Sequence, residues 1–164
     1  MSKRFTLSDI DKLSQRGIRS SLAKVEPIKY DYIIGIDCGT NTGYAVWDCL
    51  HRSLATVNCL KIHTAMQLIA DAHKRAKIMV IFEDARLVQF RTDAVKAQGA
   101  GSVKRDAVVW EDYLTDLRIP FKGVRPNKAI TKMNNEDFKK LTGWEQRTNS
   151  HARDAAMMIF NWNK

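Results

Sequence analysis

Cysteine is scarce in this sequence, and long hydrophobic runs are missing. The three cysteines, Cys38, Cys49 and Cys59, are odd in number and show no CxxC spacing, which argues against both a disulfide framework and a zinc site. We expect them to be small buried apolar residues. The sequence has no apolar run of about eighteen residues, and Met1–Phe5 lacks the apolar stretch of a signal peptide. It therefore predicts neither membrane insertion nor secretion, and we expect a cytoplasmic protein.

Acidic residues are also in short supply. Asp and Glu number 18 against 27 Lys and Arg, so the formal net charge is +9 and the isoelectric point is about 9.6. No acid lies between Leu117 and Asn135, and the bases of that basic stripe are Arg118, Lys122, Arg125, Lys128 and Lys132. A run of bases is often only a solvated surface, but the charge of the whole chain favours contact with the phosphates of a nucleic acid.

The length and the order of the predicted elements indicate one α/β domain. The 164 residues, 45% of them hydrophobic, suit a single core. Residues 1–30 are predicted to form an N-terminal helical appendage, and residues 31–164 the folded domain. Apolar periodicity predicts five strands, Asp31–Asp37, Gly43–Trp47, Leu54–Ile62, Ile78–Phe82 and Phe121–Val124. It also predicts four helices, Thr64–Lys77, Val103–Leu117, Phe138–Leu141 and Ser150–Trp162, with a polar loop up to Gly99.

Connection lengths then predict how the strands pair. The first three strands follow one another closely and should pair antiparallel, whereas strands separated by a helix should pair in parallel. The result is a mixed five-stranded sheet flanked by helices on both faces. This order resembles an RNase H-like fold.

The first predicted strand ends on an acid. Ile33, Ile34 and Ile36 suit a buried central strand, Asp37 ends it, and Gly39 and Gly43 supply permissive backbone for a reversal into the second strand. A buried acid is costly unless a cation or a hydrogen-bond partner meets it. Asp37 is therefore either a turn-capping residue or a catalytic one.

Two further acids can join Asp37. Glu83 follows the fourth strand, and His151 and Asp154 lie three residues apart on one face of the last helix. Two carboxylates about 5 Å apart repel by about 3 kcal/mol at an effective dielectric constant of about 20. A divalent cation reverses that balance, and oxygen-rich ligation suits Mg²⁺, or Mn²⁺ in its place. A pair of such ions can activate water for phosphodiester hydrolysis.

Several short segments, in order, resemble the RuvC family of Holliday junction resolvases, especially its phage and mobile-element members. They are Gly35-Ile36-Asp37-Cys38-Gly39, Thr42-Gly43, Phe82-Glu83, Gly99-Ala100-Gly101 and His151-Ala152-Arg153-Asp154-Ala155. The resemblance implies an RNase H-like homodimer that binds four-way DNA junctions and nicks two opposed strands with two Mg²⁺ ions per active site, leaving 5′-phosphate ends. It implies that Asp37, Glu83 and Asp154 are catalytic metal ligands, and that His151 occupies a position held by either Asp or His. We predict that His151 is a catalytic residue as well, which ligates a metal ion or orients the attacking water.

DNA contacts are predicted around this site. The candidates are Arg86, Arg91, Lys104 and Arg105 after Glu83, Lys128 and Lys132 from the basic stripe, and Phe90 as an aromatic wedge between bases. Asp37-Cys38-Gly39-Thr40 also resembles a phosphate loop of actin-like ATPases, but these need two such domains. Two alternatives stay open: an RNase H-like nuclease for other branched DNA or RNA/DNA hybrids, and a non-catalytic DNA-binding protein.

Overall fold

The computed structural model describes residues 29–87, 94–126 and 133–162, with side chains left out for residues 94–100 and 103. The strands are β1 (Tyr32–Asp37), β2 (Asn41–Asp48), β3 (Ser53–Lys61), β4 (Ile78–Glu83) and β5 (Phe121–Val124). The helices are α1 (Ile62–His73), α2 (Ala94–Asp116), α3 (Asn135–Thr142) and α4 (Ser150–Ile159), with a 3-10 turn at Ala85–Leu87. The predicted appendage, apart from its last two residues, lies outside the described residues.

The five strands form one mixed sheet in the order β3-β2-β1-β4-β5. β2 pairs antiparallel with both β1 and β3, while β4 pairs in parallel with both β1 and β5. The predicted mixed sheet is therefore confirmed, and this strand order is that of an RNase H-like fold. No helix in the described part of the chain is long and apolar enough to cross a membrane.

Alternating side chains of the central strands supply two separate cores. Ile34 and Ile36 of β1 lie in the first core, together with residues of α1 and α2 such as Ile69 and Trp110. Ile33 lies in the second core, with residues of α3 and α4 such as Phe138. Successive side chains of a strand point to opposite faces, so β1 is buried on both faces by a helix layer. This explains its nearly continuous run of β-branched residues.

The helix before β5 begins nine residues earlier than predicted. The sequence predicts a polar loop up to Gly99, but α2 already starts at Ala94 and continues through Gly99 and Gly101. Each glycine inside a helix costs about 1 kcal/mol relative to alanine. Ala, Lys and Gln around these glycines favour helix, and the later turns are anchored in the core by Trp110 and Leu114, so packing outweighs the local cost.

Two strand glycines allow α4 to rest directly on the sheet. A Cβ atom at Gly35 would collide with the carbonyl oxygen of Ala155, and one at Gly43 with the carbonyl oxygen of His151. The predicted reason is therefore wrong for Gly43, whereas Gly39 does lie in the turn between β1 and β2. Neither has a left-handed backbone conformation, and Gly43 lies within β2, where it permits close approach of a helix backbone.

Replacing Gly43 by alanine should displace the start of α4. The added Cβ would lie 2.6 Å from the carbonyl carbon of His151 and 2.9 Å from Cβ of Asp37. The backbone of His151 cannot move aside as easily as the tip of a flexible side chain can. We therefore expect Gly43→Ala to lower the free energy of unfolding by about 2 to 3 kcal/mol. Urea unfolding measures this.

Gly39→Ala is the matched control, because its new Cβ would meet only the carbonyl oxygen of Asn41, at 3.7 Å. We expect that variant to stay within about 1 kcal/mol of the parent protein. Equal losses of stability in the two variants would contradict the close approach of α4 to Gly43.

Candidate active site

Strand register places Asp37 and Glu83 beside each other. β1 and β4 run parallel, and their last paired residues are Ile36 and Phe82. The next residue on each strand is the acid, so both acids stand at the carboxyl edge of the sheet. By alternation, Asp37 shares a face with Gly35, the residue against which α4 packs. The two predicted strand acids therefore come together on the face covered by α4.

The start of α4 completes this group. Asn149 caps the helix by accepting a hydrogen bond from the backbone N–H of Ala152. In the first turn of the helix, Nδ1 of His151 lies 2.7 Å from Oδ2 of Asp37. Asp37 is only 9% exposed, whereas the His151 side chain is half exposed. Asp37 is thus not a turn cap: its hydrogen-bond partner lies 114 residues away in the sequence.

The three carboxyl groups influence one another electrostatically. Burial raises the pKa of Glu83 to about 7, and the charges of Asp37 and Asp154 contribute to that rise. Burial likewise raises the pKa of Asp154, with a further contribution from the charge of Asp37. Burial also raises the pKa of Asp37, although the hydrogen bond to His151 opposes the effect. Asp37, Glu83, His151 and Asp154, which we call the acidic cluster, therefore share one site.

Cys38 adds no chemistry to the acidic cluster. It is buried in the first core, and burial together with the charges of Asp37 and Glu83 raises the pKa of its thiol. The thiol stays protonated, and only a thiolate is an effective nucleophile or metal ligand. Cys49 is also buried and Cys59 is half-buried, and all three cysteines are free.

The donor set of the acidic cluster has the chemistry that a divalent cation requires. Carboxylate oxygens are the ligands Mg²⁺ prefers. Burial raises the pKa values of all three acids, and repulsion between the acids adds to the rise at Glu83 and Asp154, so a bound cation would favour their ionised forms. With their side chains as they stand, no group of three or more His, Cys, Asp or Glu residues in the described part of the chain is spaced to hold an ion. The predicted ligation by Asp37, Glu83, His151 and Asp154 stays a prediction.

Arg86 has partners that its prediction as a phosphate contact did not include. Its Nε and Nη2 donate to the two carboxylate oxygens of Asp84 at 2.8 Å each. Its Nη1 lies 2.6 Å from a carboxylate oxygen of Glu111. All three guanidinium nitrogens thus contact carboxylates of the protein, and the DNA contact predicted for Arg86 stays a prediction.

The other predicted DNA contacts fall into two groups. Lys104 and Arg105 lie on α2, and both are exposed. The remaining residues lie outside the described part of the chain; they are Phe90, Arg91, Lys128 and Lys132.

Two described bases of the basic stripe lie apart from each other. Arg118 precedes β5 and Arg125 follows it, so they stand at opposite ends of the strand, and both are exposed. Val124 pairs with Glu83, which places Arg125 at the edge of the sheet that carries the acidic cluster. Sequence analysis singled out only Lys128 and Lys132 of this stripe. The rule that carboxyl ends of parallel strands share an edge would have found Arg125 as well.

Arg153 is a further residue whose role the sequence did not disclose. Its guanidinium donates to the backbone oxygens of Met133 and Thr148, at 2.7 Å each. It thereby ties the first turn of α4 to the segment before α3 and to the loop after it. Because Arg153 lies between His151 and Asp154 in the sequence, these hydrogen bonds hold the part of α4 that carries both.

Comparison with known proteins gives a similarity to a solved structure. No protein-family model matches the chain, and no curated protein matches it. A solved structure of RuvC from Thermus thermophilus is similar to this chain, with 18% sequence identity, a TM-score of 0.43, and coverage of 76% of this chain and 88% of that one. The fold assignment above rests on the strand order and the hydrogen-bond registers.

Proposed function

We propose that this protein is a divalent-metal-dependent endonuclease that resolves four-way DNA junctions by paired symmetric nicks as a homodimer. The observation that supports this most directly is the convergence of Asp37, Glu83 and Asp154, with His151, at one edge of the sheet. Three acids gathered without a matching cation destabilise a fold. A nuclease needs such a group of acids, because carboxylates bind the divalent cations that phosphodiester hydrolysis uses. The net charge of +9 supports DNA as the substrate.

The residues of the acidic cluster have distinct roles in this proposal. Asp37, the most central and the least exposed, would hold the divalent cations together with Glu83 and Asp154. Bound divalent cations would supply charge neutralisation and activation of water. In the neutral imidazole whose Nδ1–H donates to the Asp37 carboxylate, Nε2 carries no proton. That nitrogen can accept a proton from the attacking water or orient it.

A substrate panel tests the proposal. A labelled four-way junction, a Y-fork, linear duplex and an RNA/DNA hybrid are each incubated with the protein and Mg²⁺, with chelator as the control. We expect paired, symmetric nicks on the junction with 5′-phosphate and 3′-hydroxyl ends. Cutting of forks or hybrids instead would reassign the substrate to the other RNase H-like nucleases, and binding without cutting would favour a non-catalytic DNA-binding protein.

The position of Arg125 predicts a phosphate contact. Removing a true phosphate contact lowers the salt dependence of DNA binding by about one unit of log Kd against log salt concentration. We expect this reduction for Arg125→Gln, measured by junction binding at several salt concentrations in the presence of Ca²⁺.

Arg118→Gln is the matched control, because Arg118 belongs to the same basic stripe but lies at the far end of β5. It should leave the slope unchanged. The same slope in both variants would contradict a specific role for the edge at which Arg125 lies.

A further inference from the structure

Asp84, Arg86 and Glu111 form a connected ion-pair group that we call the Arg86 bridge. Asp84 is 5% exposed and follows Glu83 directly. Both of its carboxylate oxygens accept from the Arg86 side chain, and Oδ1 also accepts from the Arg86 backbone N–H at 2.9 Å. Glu111, on α2, binds the remaining terminal nitrogen of the same guanidinium. One arginine therefore joins the end of β4 to α2.

The Asp84 end of the bridge is anchored in the sheet. The Asp84 backbone N–H donates to the carbonyl oxygen of Val124, at 2.8 Å. A Cβ at Gly123 would lie 3.2 Å from both Cβ and Oδ2 of Asp84, so the carboxylate packs closely against β5. Hydrogen bonds from Arg86 lower the pKa of Asp84, and the carboxylate is ionised at neutral pH. A buried carboxylate of this kind is costly without its partner, which keeps Arg86 in place.

The Glu111 end of the bridge fixes the orientation of α2. Glu111 and Lys104 are seven residues apart, two turns of helix, so they lie on the same face about 10 Å apart along the axis. The face that Arg86 holds is thus the one that carries a predicted DNA contact. A rotation of α2 would move Lys104 relative to Glu83.

We propose that Arg86 is a positioning residue that couples α2 to the carboxyl end of β4, so that DNA held by α2 is aligned with Glu83. This inference rests on the proposed nuclease function. In this role Arg86 does not contact a phosphate; it acts through Asp84 and Glu111 rather than on DNA. Its loss should lower kcat rather than weaken DNA binding, since misplacement by about 1 Å costs up to about 100-fold in rate.

The test compares three variants of the full chain, Glu111→Gln, Arg86→Lys and Asp112→Asn. Asp112 is an exposed acid next to Glu111, and its variant removes the same charge without touching the bridge. Lysine keeps a positive charge, so it can still meet a phosphate, but it lacks the fork that binds two carboxylates. We expect Glu111→Gln and Arg86→Lys to lower kcat by about 10-fold, with KM and the salt slope of junction binding unchanged, and Asp112→Asn to match the parent protein.

A phosphate contact predicts the opposite pattern. Glu111→Gln would then release Arg86 and tighten junction binding, and Arg86→Lys would retain most of the activity. Either result overturns the proposal, as does an equal loss of kcat in Asp112→Asn.

Amide hydrogen exchange without DNA separates this inference from the proposed function. Glu111→Gln should exchange faster at Arg86 and Leu87, whose N–H groups both donate to Asp84, and Asp112→Asn should not. If the parent protein cuts no substrate, the nuclease proposal fails while this measurement still decides whether the bridge fixes the end of β4. Unchanged exchange at these amides overturns the bridge itself.

Discussion

Asp37→Asn should abolish cleavage while leaving the junction bound. Asparagine has nearly the same volume as aspartate and keeps an oxygen that can accept from His151, so the sheet and α4 should stay in place. What is lost is the anion at the centre of the acidic cluster. A bound metal ion stabilises the charge of the transition state by several kcal/mol, so a variant that no longer holds the ion should lose at least about 10³-fold in kcat. Single-turnover cleavage of the junction and a parallel binding measurement check both halves of this expectation.

The control for Asp37→Asn is the same substitution at Asp71. Asp71 lies on α1, in the helix layer on the other face of the sheet, where it binds Gln67 and Lys74 at the surface. Asp71→Asn should cut the junction at the rate of the parent protein. Substantial cleavage by Asp37→Asn, with the protein folded and the ends still 5′-phosphate, would remove Asp37 from the chemistry and leave it a structural role.

Glu83→Gln should abolish cleavage and at the same time stabilise the metal-free protein at alkaline pH. Burial and the charges of Asp37 and Asp154 raise the pKa of Glu83 from 4.5 to about 7. The folded state therefore binds a proton that the unfolded state releases. This contribution to stability is fully present below about pH 4.5 and is lost as the pH rises through about 7.

Urea unfolding at pH 5 and pH 8, with chelator, measures this effect. Glu83 is half exposed to solvent, so we expect Glu83→Gln to gain about 1 to 2 kcal/mol at pH 8 and close to nothing at pH 5. Mg²⁺ should stabilise the parent protein at pH 8 more than the variant. Glu145→Gln is the control, since it changes a surface ion pair with Lys139. It should leave the stability at pH 8 and the stabilisation by Mg²⁺ as they are in the parent protein. A variant less stable than the parent at pH 8 without metal would contradict the electrostatic cost of the acidic cluster.

The fold could be predicted from local patterns to a large extent. The five strands were placed within two residues at each end because β-branched runs bounded by turn residues are a strong signal. The start of α3 follows from local chemistry in the same way, because the Asn134 side chain accepts from the backbone N–H of Asp137. The early start of α2 was missed, since two glycines and a polar composition hide a helix that later turns stabilise by packing.

The acidic cluster was predictable for a different reason. Two acids that end parallel strands must meet at one sheet edge, so Asp37 and Glu83 needed only the strand order. The Arg86 bridge was not predictable in this way. An arginine two residues after Asp84 can face either DNA or a neighbouring carboxylate, and only the arrival of Glu111 from α2 distinguishes the two. Likewise, the reason for Gly43 depends on a helix more than a hundred residues later.

That long separation has a consequence for how the protein matures. The hydrogen bond between Asp37 and His151 spans 114 residues. Contacts of large sequence separation form late in folding, because other interactions must first offset the entropy lost in closing the intervening chain into a loop. The first core, built by α1 and α2, can assemble on a partly synthesised chain, but the acidic cluster cannot. The emerging polypeptide therefore passes through intermediates that lack the acidic cluster, so the proposed nuclease activity should appear only with the docking of α4.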